Sequence, residues 1–224
     1  MELSIPELSK HLGVEQQTIE RWIRQGKLPV SQKGAAYRFR TSDLEKWASK
    51  HNLSLNLEKK SEPEKKNDPL ISLSKAVQNG GLYFDIPGDD VESVLNASLE
   101  RISSVPEQFK ADLLVRLIER EQALSTGIGN GIAIPHPRVP LAYLKEPLVA
   151  VCFLENRVEY QAMDKQPVEA LFLILCPDLK FHLHLLSALS FCLRDKTFTK
   201  FLKSRPDSKA LIEKIELIQT LNTF

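Results

Sequence analysis

Residues 58–68, Glu-Lys-Lys-Ser-Glu-Pro-Glu-Lys-Lys-Asn-Asp, interrupt the chain with a run that holds no apolar side chain other than proline. Such a stretch cannot bury enough surface to offset the entropy of ordering it, so it cannot belong to a shared core. It reads as a linker; a solvated helical extension is the alternative, against which Pro63 argues. The chain is therefore expected to form two units, residues 1–55 and 70–224, joined by a charged segment at 56–69. No internal repeat is visible.

Composition narrows the class. Hydrophobic residues make up 42% and charged residues 26%, the balance of a soluble globular protein. A net charge of +1 leaves no global basic field, so any nucleic-acid surface must be local. The N-terminus lacks a basic region followed by an apolar run, and no segment approaches the roughly 20 apolar residues of a membrane span. A cytoplasmic protein with no membrane partner is expected. Cys152, Cys176 and Cys192 are odd in number and sit in apolar runs without metal-ligand spacing. They read as reduced core residues, and neither a metal nor another cofactor is expected.

In the first unit, Ser4-Ile5-Pro6-Glu7-Leu8 has the form of a helix start. Ser4 is the N-cap, Glu7 completes a capping box, and Pro6 falls in the tolerated first turn. Gly13 ends that helix. A second runs from about Glu15 to Gln25, with Val14, Ile19, Trp22 and Ile23 on one apolar face, and stops at Gly26. Leu28-Pro29-Val30, a polar turn through Lys33-Gly34, and Tyr37-Arg38-Phe39-Arg40 predict a small basic hairpin. Thr41 or Ser42 then caps a third helix carrying Leu44, Trp47 and Ala48.

This order of helix, helix, wing and helix over residues 3–50 resembles the excisionase-type winged helix-turn-helix domains, relatives of the MerR family. The resemblance implies DNA binding, with the second helix in the major groove. Gln16, Gln17, Glu20, Arg21 and Arg24 then face outward; Gln and Arg suit adenine and guanine edges, while Lys33, Arg38 and Arg40 suit phosphates. A merely solvated helix face is the competing reading. Residues 1–52 hold nine Lys and Arg against six Asp and Glu, a weak footprint of about +3, and Glu15 and Glu20 oppose phosphate. One such module buries little surface, so a homodimer is the expected binding form.

From Leu70 onward helical and strand-like signals alternate. Asp89–Ser103 and Pro106–Leu124 are amphipathic; Leu148–Leu154 and Leu171–Cys176 are short apolar runs suited to strands covered on both faces; and Lys180–Asp195, Lys196–Ser204 and Asp207–Leu221 are again helical. An interleaved α/β architecture follows, a sheet with helices on both faces, preceded by a small mainly α domain.

Between these runs lies Thr126-Gly-Ile-Gly-Asn-Gly-Ile-Ala-Ile-Pro135-His136-Pro137-Arg138. Histidine can serve as nucleophile, proton carrier or ligand near neutral pH, and the upstream glycines let backbone come close to whatever that ring handles. Arg120-Glu121 ends the helix just before, and His182 opens the helix after the second strand. His184, about 200° away around that helix, cannot face the same site and is a bystander.

The set Arg120-Glu121-x-x-x-Ser125-Thr126-Gly-Ile-Gly-Asn-Gly-Ile-Ala-Ile-Pro-His136, with His182-Leu183 beyond, resembles the type-2 enzyme IIA domains of the bacterial sugar phosphotransferase system. These include the fructose/mannitol-type domains and their nitrogen-regulatory relatives, and the resemblance covers about residues 70–222. It implies that His136 accepts a phosphoryl group, that His182 assists, and that Arg120 clamps the phosphate. Thr126 and Arg138 are weaker candidates for contacting the phosphate. The family often has glycine after the histidine, whereas Pro137-Arg138 stands here, adding a cation and stiffening the loop.

The chemistry suits the residue types. Phosphoryl transfer asks mainly for alignment and for positive donors around the equatorial oxygens. The resemblance implies the histidine phosphocarrier protein as donor. With no permease domain or membrane anchor in view, it points to a phosphoryl-transfer protein used mainly as a regulator of DNA binding or of protein targets. The alternative is a soluble component that hands the group to a separate permease and uses its helix-turn-helix for protein docking. A structural protein with a vestigial site is disfavoured because Arg120, His136 and His182 are all present.

Overall fold

Ser4 and Glu7 start the first helix as their spacing predicts: the Glu7 carboxylate accepts from the Ser4 N–H at 2.8 Å and from its hydroxyl at 2.7 Å. The computed structural model describes residues 2–31, 37–50 and 70–220. The charged stretch 56–69 and Lys33 lie outside the described residues. Strand β1 (Glu2–Leu3) leads into α1 (Ile5–Leu12), and Gly13, in the left-handed conformation at φ 62°, turns the chain into α2 (Gln16–Arg24). Beyond residue 36 come β2 (Phe39–Arg40) and α3 (Thr41–Lys50).

The turn of the expected hairpin, at 32–36, lies outside the described residues. The Ser31 N–H and hydroxyl donate to the Arg38 carbonyl at 2.9 and 2.8 Å, but β2 then pairs antiparallel with β1 rather than with Leu28–Val30. Burial decides the partner: Leu3 and Phe39 stand opposite each other and face the core together.

The second unit runs α4 (Leu73–Gly80), β3 (Leu82–Ile86), α5 (Val91–Arg101), α6 (Glu107–Ala123), β4 (Gly127–Gly129), β5 (Ile132–Ala133), β6 (Leu148–Val158), β7 (Val168–Leu175), α7 (Leu179–Arg194), α8 (Lys196–Leu202) and α9 (Ser208–Thr220). The strands form one mixed sheet in the order β3-β6-β7-β5-β4, with β3–β6 and β5–β7 parallel and the other pairs antiparallel. Alternation along β6 divides the core. Leu148, Ala150, Cys152 and Leu154 face α5 and α6; Val149, Val151 and Phe153 face α4, α7, α8 and α9. The helices therefore cover both faces of the sheet. Among the described residues, no helix is long and apolar enough to cross a membrane. All three cysteines are buried and free, and burial pushes the Cys152 thiol up to about 12.

The two units do not hang apart. The helix-turn-helix lies on the outer side of α6, and a single apolar cluster runs from its core into that of the α/β unit. Trp22 meets Phe109 edge-on at 4.7 Å, and Phe109 stacks on Tyr143 at 4.0 Å. The Thr18 hydroxyl donates to Asp112 at 2.9 Å, Asp112 pairs with Arg116 at 3.0 Å, and Arg116 donates to the Gly13 carbonyl. A Cβ added at Gly13 would stand 3.6 Å from the Pro140 carbonyl oxygen and 3.7 Å from the Ala142 Cβ. Trp22, assigned from the sequence to the inner face of α2, thus reaches beyond its own module.

Candidate functional site

The glycine run makes a hairpin. Asn130 and Gly131 join β4 to β5 with φ of 56° and 79°, the two successive positive values that a tight two-residue turn between strands needs. A Cβ at Gly129 or Gly131 would approach Asp164 and Glu169, so these glycines serve the turn and its neighbours on the sheet. The return strand carries the chain toward His136. The Ile134 N–H donates to the Thr126 carbonyl at 3.1 Å, and the Ile174 N–H donates to the Pro135 carbonyl at 3.0 Å. His136 therefore leaves the end of a strand held from both sides.

Two helix ends bring its partners. Arg120, from the last turn of α6, points its Nε at His136 Nε2 across 3.3 Å and donates from Nη1 to the Leu124 carbonyl at 2.6 Å. His182, from the first turn of α7, places its ring 5.0 Å from that of His136, tilted by 47°. The Asp178 side chain caps α7 by accepting from the Phe181 N–H at 2.9 Å, which fixes where His182 emerges. His184 turns away and sets its Nε2 3.1 Å from the Ile71 carbonyl.

The second ring nitrogen of His136 decides the chemistry. Nδ1 lies 2.7 Å from the Ile134 carbonyl, which only accepts, so Nδ1 carries the proton and Nε2 keeps the lone pair. Burial is the main force holding His136 below its ordinary value; Arg120 and His182 push the same way, and the Ile134 carbonyl opposes them. His182 is also lowered, by burial first and then by Arg120. Both rings are neutral near pH 7, the state a nitrogen nucleophile needs.

A pH profile follows from those directions. Any reaction that uses the His136 ring as a nucleophile should be flat from about pH 8 to the ordinary imidazole value of 6.5 and decline only below it. Below 6.5 the folded chain binds fewer protons than the unfolded one. The stability carried by the neutral rings is therefore full above 6.5 and is lost as pH falls through their depressed values. Thermal melts between pH 5 and 8 together with NMR titration of the ring protons check both signs; a midpoint above 6.5 would contradict them.

The other candidate residues separate. The Thr126 N–H and hydroxyl donate to the two Glu121 oxygens at 2.6 and 2.7 Å, leaving neither for a phosphate. Glu121, whose part the sequence reading missed, is thus the brace that ties the end of α6 to β4. Arg138 is exposed and lines a cleft of about 390 Å³ with Ser9, Glu15, Arg116 and Glu119, between the two modules. On α2, Gln16, Gln17, Glu20 and Arg24 are exposed and Arg21 is half-buried, while Thr18 and Trp22 take the side toward α6. Arg38 and Arg40 are exposed, with Arg40 3.8 Å from Glu2. The outward face of α2 stays open.

Comparison with known proteins agrees with both halves of the chain. The model of the family described as phosphoenolpyruvate-dependent sugar phosphotransferase system, EIIA 2, matches residues 88–217, and a helix-turn-helix domain model matches residues 2–52. The chain is 32% identical over 153 residues to the nitrogen regulatory protein of Pseudomonas aeruginosa, a match covering 67% of this chain and 98% of that protein. It is 41% identical over 99 residues to the nitrogen regulatory protein of Escherichia coli, covering 43% of this chain and 60% of that protein. Among solved structures, the nitrogen regulatory protein IIA-Ntr from Neisseria meningitidis shares the fold, with a TM-score of 0.55 at 24% identity over 64% of this chain and 98% of that one.

Proposed function

Because the chain belongs to the EIIA 2 family of the phosphoenolpyruvate-dependent sugar phosphotransferase system, we propose that His136 receives a phosphoryl group from the histidine phosphocarrier protein and that this state regulates what the helix-turn-helix module binds. The observation that carries the reading is the convergence at His136 Nε2: its lone pair is set free by the Ile134 carbonyl, faced by Arg120 at 3.3 Å and flanked by His182. The Nε2 lone pair attacks phosphorus, the donor nitrogen departs with the electrons of its P–N bond, and the proton on Nδ1 stays in place. Arg120 and His182 serve the equatorial oxygens as charge builds there.

Exposed apolar side chains near the site in the chain support docking of a protein donor. Leu124, Val139, Leu179 and Leu183 are exposed apolar side chains next to Arg120, His136 and His182 in the chain. Side chains of this kind, so close in sequence to the site residues, are what a protein partner can cover. On the other module, the open row of Gln16, Gln17, Arg21 and Arg24 supports DNA as the target, with Arg38 and Arg40 as phosphate contacts. Glu20 on that same row favours the second reading, a soluble phosphoryl-transfer component whose helix-turn-helix docks a protein.

Two measurements on one preparation test the proposal. With labelled phosphoenolpyruvate, its kinase and the phosphocarrier, the chain should take up an acid-labile, base-stable phosphate. It should also bind DNA with an affinity that drops steeply as salt rises. Label uptake without DNA binding even at low salt would leave the docking reading; no label would end both.

A further inference from the structure

The phosphoryl site and the helix-turn-helix share one helix. Asp112, Arg116 and Arg120 stand four residues apart along α6 and so lie on one stripe. Arg120 faces His136, while Asp112 and Arg116 hold Thr18 and Gly13 of the N-terminal module. A second connection runs through the loop after the nucleophile: Pro140 and Ala142 lie against Gly13, and Arg138 and Val139 line the cleft with Ser9 and Glu15. Both connections end at the α1–α2 turn.

Arg116 is the unusual member. Its side chain is only 16% exposed, paired with an equally sheltered Asp112, yet Nη1 is buried without a partner among the described residues. A buried guanidinium with an unsatisfied donor calls for an explanation. It also has capacity to spare for a new acceptor.

We propose that Arg116 couples the two modules: a phosphoryl group on His136 draws its guanidinium away from the Gly13 carbonyl and loosens the helix-turn-helix from α6. This rests on the reading of His136 as phosphoryl acceptor. The added group carries about −1.5 to −2 charge. It arrives where Arg120 Nε now sits, 3.3 Å from Nε2, so Arg120 and the last turn of α6 must readjust to receive it. Arg116 is one helical turn back, about 6 Å along the axis. Both guanidiniums thus leave the same stripe of one helix, so a readjustment of the last turn of α6 bears directly on the turn that carries Arg116. The cleft beside Arg116 is lined by Glu15, Glu119 and Arg138, so its charges rebalance when an anion is added at the end of the neighbouring loop. The Arg116–Gly13 bond is the docking contact whose strength then differs between the two states, which is the differential interaction a shift between them requires. Arg116 is a positioning residue here: it acts on the Gly13 turn and not on the reacting atoms.

Hydrogen–deuterium exchange on the full chain, with labelled phosphate counted in parallel, tests the coupling. Phosphorylation should speed exchange in peptides covering residues 13–22 and the facing part of α6 by about threefold or more, while α9 stays unchanged. In Arg116→Gln the label should still reach His136, but exchange at 13–22 should be fast already and indifferent to phosphate. Thr18→Val removes one docking bond while leaving Arg116 in place, and should stay responsive. Full labelling of the native chain with unchanged exchange at 13–22 overturns the coupling and leaves the acceptor reading standing. A phosphate response in Arg116→Gln equal to that of the native chain also overturns it. Absence of label from the native chain removes both.

Discussion

His136→Ala leaves the chain with no acid-labile, base-stable phosphate after incubation with labelled phosphoenolpyruvate, kinase and phosphocarrier. The loss should be near complete, because Arg120 Nε aims at His136 Nε2, the nitrogen that the Ile134 carbonyl leaves with the lone pair. His182, with its ring 5.0 Å from that of His136, is the only other imidazole there among the described residues, and His184 lies against Ile71. Deleting the ring also removes the donor to the Ile134 carbonyl, a cost of about 1 kcal/mol. The variant should therefore melt only a few degrees below the parent, and circular dichroism distinguishes loss of the nucleophile from loss of the fold. Residual label at the parent level would place the acceptor elsewhere.

Arg120→Gln should slow uptake by about 10² to 10³, the usual cost of removing one positioned donor from developing charge. Arg120→Lys should recover only part of this, since an ammonium cannot present the planar fork of a guanidinium to phosphate oxygens. The same change should also move the pH profile. Arg120 helps to depress His136, so its removal raises that value and shifts the acid decline toward 6.5. A slower rate with an unmoved midpoint would mean that Arg120 only braces the Leu124 carbonyl at the helix end. Single-turnover rates measured across the acid range separate the two roles.

How much was legible beforehand depended on the range of the interactions. The capping box at Ser4 and Glu7 and the stop at Gly13 rest on neighbours within a few residues and lie where the spacing predicts, while β6 and β7 begin or end within the expected apolar runs but extend beyond them, to Val158 and back to Val168. The α4–β3 pair, Leu73–Gly80 and Leu82–Ile86, is not legible in the sequence. An eight-residue helix running into two glycines carries a weak periodic signal, and its burial comes from the sheet and α9. The glycines before His136 suggest close approach of backbone to the site, whereas Asn130-Gly131 is a hairpin turn. The dipeptide itself was the available signal.

The sequence by itself determined most of the helices and the main strands, and it pointed to the three side chains proposed to carry the chemistry. Those depend on local periodicity, on capping and on residue types with few alternative uses. Only the tertiary structure decided which nitrogen of His136 is free, because that depends on where the Ile134 carbonyl lies. Only it placed Trp22 on Phe109 and Arg116 on Gly13. In sequence, a tryptophan on an apolar face and an Asp–Arg pair at i, i+4 look the same whether they meet their own core, solvent or another module. The choice rests on apolar area and charge brought together across roughly a hundred residues, which no window along the chain records.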